Sequence, residues 1–503
     1  MRLCRSTGMI VLLALVALAC SAIPSATPDI VLRGTVRGDQ NHTYIEVPFE
    51  VPSGIERLTV SFQYTGKEER TTLDLGIQDP DRFRGWSGGN KSTFTISTSD
   101  ATPSYLPGAI VPGTWKLLIG VPNIRPQSVA TYEAHIYFER TGASGALQEF
   151  SSEPLRQAAG WYRGDLHMHT AHSDGHCNSQ TGKQVPCPTW ITLDAAARRG
   201  LDFIAITDHN TTSQYDDLRE LQPYFDRLLL IPGREVTTFM GHANVFGITE
   251  FLDFRVGSSA VPDMNSLLRR AHNLNALISI NHPNAPTGEV CMGCGWTPTS
   301  TEMTLVDAVE AVNGGAEDRP YSGVSFWEKQ LDAGYRLTAI GGSDNHDAQL
   351  PPDKPGSVGS PATVVYAAEL SVKGIVAGIR TGRVFVDLTA SKDRLLDFSA
   401  QTSNRKAAMG EIMQSAAGET LSLAAHATAC QGSVLRVLVD GRENSTVPNM
   451  PITSSDQTLT TAWQSDGQRH WLRADIVSDS GKLQLLGNPI YVNFVPVGAK
   501  DSK

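Results

Sequence analysis

The sequence predicts a central α/β domain that is flanked on both sides by a β-rich module. Residues 28–140 and 395–496 alternate apolar and polar positions like strands and have no helical period. Residues 161–390 alternate buried-type strands with segments of helical spacing. The chain has 503 residues, which is enough for about three domains. We therefore expect two β-sandwich modules around a β/α barrel.

Segment 1–22 is predicted to be a secretory signal peptide. Arg2 and Arg5 precede an apolar run over 9–19, which is too short to span a bilayer. We expect an exported protein in the periplasm, at the cell surface or outside the cell. A lipid anchor at Cys20 is the alternative, because residues 17–20 resemble a degenerate bacterial lipobox. No other apolar run reaches about 18 residues, so no transmembrane segment is expected.

The N-terminal module, residues 28–140, has the pattern of a β-sandwich. Its strand-like segments lie between Pro and Gly turns, and they cover 43–47, 58–62, 115–119 and 132–138. Residues 73–77, 85–87, 105–108 and 112–115 resemble a bacterial pre-peptidase-type jelly roll. That fold is commonly an accessory module. Residues 141–160 are predicted to be a linker that contains glycine and serine.

The central segment, residues 161–390, contains apolar strands at 203–207, 228–231, 277–280 and 337–340, with helical spacing at 193–199 and 265–274. In β/α barrels, functional residues collect at the C-terminal ends of the strands. From 395 onward strands return, for example at 434–439 and 471–476. Residues 395–496 therefore predict a second β-module.

The charge of the chain argues against broad nucleic-acid binding. Lys and Arg number 42 against 52 Asp and Glu, which gives a formal charge of −10. Surfaces that bind nucleic acid are basic. We therefore expect no nucleic-acid partner.

Histidines are concentrated in the central segment. Nine of the thirteen lie between His167 and His346. Many stand in five polar clusters, each close to an apolar strand: Gly164-Asp165-Leu166-His167-Met168-His169-Thr170 with Ser173-Asp174-Gly175, Thr207-Asp208-His209, Gly233-Arg234-Glu235 with Gly241-His242, Asn281-His282-Pro283, and Gly342-Ser343-Asp344-Asn345-His346.

These clusters have the chemistry of a metal site. In an extended segment, side chains two residues apart point to the same side, so His167 and His169 can hold one ion together. Carboxylates can bridge ions and offset their charge. A mixed set of imidazoles and carboxylates suits Zn, Mn or Fe better than Ca or Mg.

The ordered clusters resemble the PHP (polymerase and histidinol phosphatase) superfamily of metallohydrolases over about 160–390. Residues 235–238, 241–244 and 488–492 resemble its carbaryl-hydrolase-like branch. The resemblance implies a distorted (β/α)7 barrel that holds two or three divalent transition-metal ions.

The resemblance also implies roles for individual residues. The first ion would be held by His167, His169, Glu235 and Asp344. Glu235 would bridge to a second ion, which His282 and His242 complete; His242 is the ligand whose spacing is least fixed. The third ion would be held by Asp174, His209 and His346. Among these residues, Glu235, Asp344 and His346 are the predicted catalytic groups.

The sequence leaves three functions open. The first is hydrolysis of a small phosphomonoester or phosphodiester by a water that two metal ions share. The second is hydrolysis of a carbamate, carboxyl ester or amide by the same site. The third is a non-catalytic binding protein of the cell envelope. Most of the superfamily acts on phosphate esters, so we expect the first.

Several residues outside the ligand set carry alternatives. Cys291 and Cys294 predict a local disulfide or a cross-link to the loop of Cys177 and Cys187, and a four-cysteine zinc site is the minority alternative. Arg234 predicts either a contact to an anionic substrate or an ordinary salt bridge.

Overall fold

The structure is a computed structural model that describes residues 27–98, 101–140, 153–288, 291, 293–314 and 321–497. The predicted signal peptide, the candidate lipid anchor at Cys20 and residues 141–152 of the predicted linker lie outside the described residues. The described residues contain no helix that is both long and apolar enough to cross a membrane.

The N-terminal strands form two antiparallel four-stranded sheets that share one core, as the alternating pattern predicts. The sheet orders are β1-β8-β3-β6 and β2-β7-β4-β5. The strands are β1 Ile30–Arg37, β2 Tyr44–Val51, β3 Ile55–Tyr64, β4 Thr72–Gln78, β5 Phe83–Gly88, β6 Thr93–Ser97, β7 Gly113–Asn123 and β8 Val129–Arg140.

A buried ion pair stabilises one end of this sandwich. Arg84 Nη1 lies 2.9 Å from Asp79 Oδ2, and both side chains are buried. The guanidinium also donates to the carbonyl oxygens of Leu106, Gly108 and Ala109 at 3.0–3.1 Å. Burial opposes ionisation of Asp79, but the hydrogen bonds from Arg84 and from backbone amides hold its pKa below the usual value.

The central segment combines many strands with few helices. Its helices are α1 Thr189–Arg199, α2 Gln214–Leu221, α3 Met264–Asn273, α4 Val324–Asp332 and α5 Val372–Thr381. Its strands are β9 Gly160–Asp165, β10 His176–Asn178, β11 Gln184–Pro186, β12 Phe203–Ile206, β13 Leu229–Thr238, β14 Gly241–Phe246, β15 Leu277–Ile280, β16 Ala308–Asn313, β17 Thr338–Gly342, β18 Ala362–Ala367 and β19 Val384–Asp387.

The strand order does not confirm a (β/α)7 barrel. The sheet runs β17-β16-β15-β14-β13-β12-β9-β18-β19. Strands β9, β12 and β13 are parallel, as are β15, β16 and β17, whereas β14 and β18 are antiparallel to both neighbours. Only two residues separate β13 from β14, so a hairpin replaces a helical crossover there. The described architecture is therefore mixed α/β.

The sheet curls until β17 lies beside β18 and β19, where side chains join the strands. No backbone ladder links β17 to either strand within the described ranges. Thr363 Oγ1 instead accepts from Gly341 N at 2.8 Å and donates to its carbonyl oxygen at 2.6 Å. Asn488 accepts from Ala339 N at 2.7 Å and donates to the carbonyl oxygens of Ala339 and Val384 at 2.9 Å. This seam brings the two halves of the sheet together.

Residues 395–496 are built from strands, as their pattern predicts. The strands are β20 Leu395–Gln401, β21 Lys406–Ala408, β22 Ile412–Met413, β23 Thr420–Thr428, β24 Val434–Val439, β25 Arg442–Glu443, β26 Met450–Pro451, β27 Asp456–Gln464, β28 His470–Val477, β29 Leu483–Gly487 and β30 Ile490–Val492. One sheet has the order β21-β20-β23-β27. Strand β29 pairs with β19, so the central sheet continues into this segment.

Candidate metal centre

The structure brings all nine predicted ligands into one cluster. His167 and His169 follow β9, His282 follows β15, and Asp344 follows β17. Neighbouring segments meet through single backbone bridges, such as that between His209 and Glu235. Four overlapping groups could each hold an ion: His167, His169 and Glu235; His167, His282 and Asp344; Glu235, His242 and His282; and His169, Asp174, His209 and His346.

The backbone at the cluster is tightly constrained. Asp344 has φ 50° and His282 has φ 25°, a left-handed region that costs non-glycine residues about 1–3 kcal/mol. A Cβ atom at Gly342 would lie 2.4 Å from the Cβ of His167, so glycine is required there. Asp165 accepts hydrogen bonds from the backbone amides of His167 at 3.2 Å and Ser343 at 3.0 Å. These contacts align the two ligand-bearing segments.

Glu235 lies at the centre of the cluster. Its Oε1 is 3.2 Å from His242 Nδ1 and 3.3 Å from His282 Nε2. Its Oε2 is 3.4 Å from His167 Nε2 and 2.9 Å from His209 Nδ1. Burial opposes its ionisation, but the surrounding imidazoles, His167 above all, hold the pKa of Glu235 well below the usual value. Its Oε2 also lies 3.6 Å from His169 Nε2. The two carboxylate oxygens therefore face different histidines, as those of a bridging ligand do.

Asp344 approaches the same nitrogen of His167 as Glu235 does. Its Oδ1 is 3.3 Å from His167 Nε2 and 3.1 Å from His169 Nε2. Asn313 Nδ2 donates to the other oxygen at 3.2 Å. Burial lowers the pKa of His167, but Asp344, Glu310 and Glu235 together hold it well above its ordinary value.

The third group, around Asp174, is the most open part of the cluster. Asp174 Oδ1 lies 3.6 Å from His209 Nε2, and its Oδ2 lies 3.4 Å from His346 Nε2. The Asp174 side chain is 56 % exposed, whereas that of Glu235 is 1 % exposed. His169 Nδ1 also approaches Asp174, at 3.8 Å, so His169 belongs to two groups. Solvent can reach this side of the cluster.

The donor set fits divalent transition-metal ions. The Nε2 atoms of His167 and His242 are buried and have no hydrogen-bond partner among the described residues. Leaving a buried polar atom unpaired costs about 1–3 kcal/mol. A cation would give these nitrogens a partner and would offset the charge of the adjacent carboxylates. A site built from imidazoles and carboxylates suits Zn, Mn or Fe.

The sequence analysis did not predict Glu310, which orients two of the candidate ligands through hydrogen bonds. This buried carboxylate accepts from His167 Nδ1 at 2.9 Å and from the backbone amide of His282 at 3.0 Å. Such outer contacts fix which imidazole nitrogen faces an ion. The available signal was a single charged residue within the apolar strand β16.

Two other ligands are oriented by oxygen atoms of the chain. His282 Nδ1 donates to the carbonyl oxygen of Cys294 at 3.1 Å, and His346 Nδ1 donates to that of Asp344 at 2.8 Å. Both histidines therefore direct Nε2 toward the carboxylates. These backbone partners leave no sequence signal.

The structure also bears on the predictions for the cysteines and for Arg234. Cys291 and Cys294 form the predicted local disulfide, and the four cysteines do not make a metal-ligand group within the described ranges. Arg234 points away from Glu235, its neighbour on β13, and donates to the carbonyl oxygen of Glu250 at 2.7 Å. No described carboxylate forms an ion pair with Arg234, so the predicted salt bridge is not found, and the contact to an anionic substrate stays a prediction.

Comparisons with known proteins give little further guidance. No family model and no curated protein matches the chain. A crystal structure from Bifidobacterium adolescentis, provisionally named a metal-dependent phosphoesterase, is 16 % identical and has a TM-score of 0.26; the match covers 36 % of this chain and 87 % of that one. The CARDB domain of a Pyrococcus furiosus protein is 8 % identical, with a TM-score of 0.13 and coverage of 19 % and 93 %. At such low TM-scores, the site must be interpreted from its own residues.

Proposed function

We propose that this protein is an exported metal-dependent hydrolase of small phosphate esters, with two or three Mn, Zn or Fe ions at the cluster. The observation that carries the proposal is Glu235, whose two buried oxygens face different sets of histidines. The motifs that resemble the PHP superfamily fall on the same residues. Among the possible reactions of such a site, phosphate-ester hydrolysis is the commonest within that superfamily.

The residues divide the work between a buried and an open side. His167, His242, His282 and Glu235 would hold ions on the buried side, where Glu310 and Asn281 keep the ligands in place. Divalent ions bound there lower the pKa of a coordinated water toward 7 and stabilise charge on the substrate.

Substrate would enter on the open side, past Asp174 and His346. Hydrolysis forms a bond from phosphorus to the oxygen of water and breaks the bond to the alcohol, which leaves with a proton. His346 is the most exposed histidine of the third group. Its Nδ1 is held by the carbonyl oxygen of Asp344, so we assign its Nε2 to the ion that would stabilise charge on the leaving oxygen.

Carbamate or carboxyl-ester hydrolysis is the second candidate. Residues 235–238 and 241–244 favour it, because they resemble the carbaryl-hydrolase-like branch. These residues form the β13–β14 hairpin, which supplies Glu235 and His242. A carbonyl carbon would replace phosphorus as the electrophile in the same centre.

Metal analysis joined to a substrate panel tests the proposal. Protein purified from cells supplied with Mn and Zn should contain two to three ions per chain. It should hydrolyse chromogenic phosphate mono- or diesters, and a chelator should abolish the activity. Protein without metal would overturn the proposal. Selective hydrolysis of carbamates would replace it with the second candidate, and full metal content without any hydrolysis would favour a binding protein.

A further inference from the structure

Two buried thiols lie together beside the open side of the metal centre. Cys177 is in β10 and Cys187 directly follows β11, and each is 1 % exposed. They share a small apolar cluster with Ala348. No metal-ligand role falls to either residue in the described structure.

The hairpin of β10 and β11 sets the two thiols close to each other. Cys177 pairs with Val185 across the hairpin, and residues two apart on a strand face the same side. Cys187 is therefore a diagonal neighbour of Cys177. Burial raises the pKa of the Cys187 thiol, and its contact with Cys177 raises it further.

The same hairpin supports the segment that carries Asp174. Cys187 N donates to the carbonyl oxygen of Gly175 at 2.9 Å, and Ala171 N donates to that of Cys187 at 2.8 Å. His176 N donates to the carbonyl oxygen of His346 at 2.7 Å. The position of Asp174 therefore depends on the backbone of Cys187.

We propose that Cys177 and Cys187 form a disulfide that fastens the ligand segment 171–176 at the third metal group. The metal part of this inference rests on the proposed function. Each thiol loses one proton and one electron as the S–S bond forms. A disulfide oxidant takes up both electrons and both protons and becomes two thiols. An exported chain meets such oxidants, so the cross-link would persist.

The cross-link matters more for the third group than for the others. Asp174 is largely exposed, and its ion-pair partners among the described residues are histidines. Glu235 is instead enclosed on β13 and receives a hydrogen bond from Asn281 at 2.9 Å. Loss of the disulfide should therefore weaken the third ion about 10-fold, an effect typical of lost outer support, and spare the ions at Glu235.

Disulfide mapping tests the bond itself and needs no metal. Protein prepared without reductant is denatured with an alkylating reagent, digested and analysed by mass spectrometry. We expect Cys177 and Cys187 in one linked product and Cys430 alkylated. Alkylation of both Cys177 and Cys187 would overturn the proposal, whether or not the protein is a hydrolase.

Metal titration tests the fastening. The double variant Cys177→Ala/Cys187→Ala should bind its weakest ion about 10-fold less tightly and keep the others, whereas Cys430→Ala, which also removes a buried thiol, should match the wild type. If the double variant and Cys430→Ala bind the weakest ion equally tightly, the disulfide does not hold the ligand segment in place, and that part of the proposal is overturned.

Amide hydrogen exchange over residues 171–176 provides a second readout that stays valid without bound metal. It should be about 10-fold faster in the double variant, and unchanged exchange would overturn the fastening. A protein that binds no metal would refute the proposed function alone. If the double variant does not fold, the amide exchange of wild type and of Cys291→Ala/Cys294→Ala is measured with and without reductant. In Cys291→Ala/Cys294→Ala, the proposed bond between Cys177 and Cys187 is the disulfide that a reductant can still break.

Discussion

The N-terminal sandwich and the metal centre both bury charge, but they compensate it differently. In the sandwich, the Arg84 guanidinium meets Asp79 and three backbone carbonyl groups, and it lies 5.2 Å from the centre of the Trp115 ring. In the candidate metal centre, the Nε2 atoms of His167 and His242 are buried and make no hydrogen bond among the described residues, although the carboxylates of Glu235 and Asp344 lie 3.4 and 3.3 Å from His167 Nε2. The chain itself satisfies the first site, whereas the second leaves nitrogen atoms that a cation could bind.

This difference separates a structural ion pair from a binding site. A buried charge that is fully hydrogen-bonded within the chain contributes to stability when its partner is present. Buried donors that converge without partners indicate a missing ligand. We therefore expect mutations in the sandwich to change stability, and mutations in the centre to change metal content and turnover.

The largest effect should come from Glu235→Gln. The amide keeps the shape but loses the charge and one strong donor oxygen, so the variant should lose at least one ion and about 10³-fold in turnover. Metal analysis and kcat measure the two losses. Glu220→Gln, at an exposed position of α2, should leave both unchanged. Full metal content with normal turnover in Glu235→Gln would mean that the centre is wrongly placed.

Asp79→Asn should destabilise the sandwich without touching the centre. Removal of one partner from a buried ion pair costs about 3–5 kcal/mol of unfolding free energy. Denaturant unfolding measures this loss, and metal content should not change. Glu133→Gln breaks an exposed pair with Arg33 and should cost far less, because solvent screens the two charges. Equal losses in the two variants would contradict the structural role of the buried pair.

The same variant has a defined pH dependence. The folded pKa of Asp79 is lowered, so its contribution to stability is complete above the unfolded value of about 3.9 and is lost as the pH falls through the folded value. The difference in unfolding free energy between wild type and Asp79→Asn should therefore shrink below about pH 4. A constant difference would show that charge is not involved.

Glu310→Gln should give the smallest effect of the series. Loss of an outer carboxylate weakens metal binding about 10- to 100-fold, because His167 loses the charge that orients its ring. Competition with a metal-sensitive dye measures the affinity, and circular dichroism checks that the fold is kept. Unchanged affinity would restrict Glu310 to a packing role.

The clustering of the nine candidate ligands was predictable because each belongs to a local motif near a strand. His167, His169 and Asp344 need only the ends of β9 and β17 to converge. Glu310 was not predictable in the same way, since its partners His167 and His282 lie 143 and 28 residues away. Alternation of strands and helices predicted a β/α barrel, and the family resemblance implied its distorted (β/α)7 form. The two-residue connection before β14 leaves no room for a helix there. The strand order and the contacts of Glu310 thus depend on pairing between distant residues, which a local sequence pattern does not reveal.

The side chain of Asn488 supports a strand that is synthesised well before it. A ribosome makes the chain from its N-terminus, and Asn488 is made 149 residues after Ala339, whose strand it holds. Strand β17 leads directly to Asp344 and His346. Until Asn488 has been made, the edge of that strand lacks this support, so the segment of Asp344 and His346 gains it only after a further 149 residues have been added to Ala339.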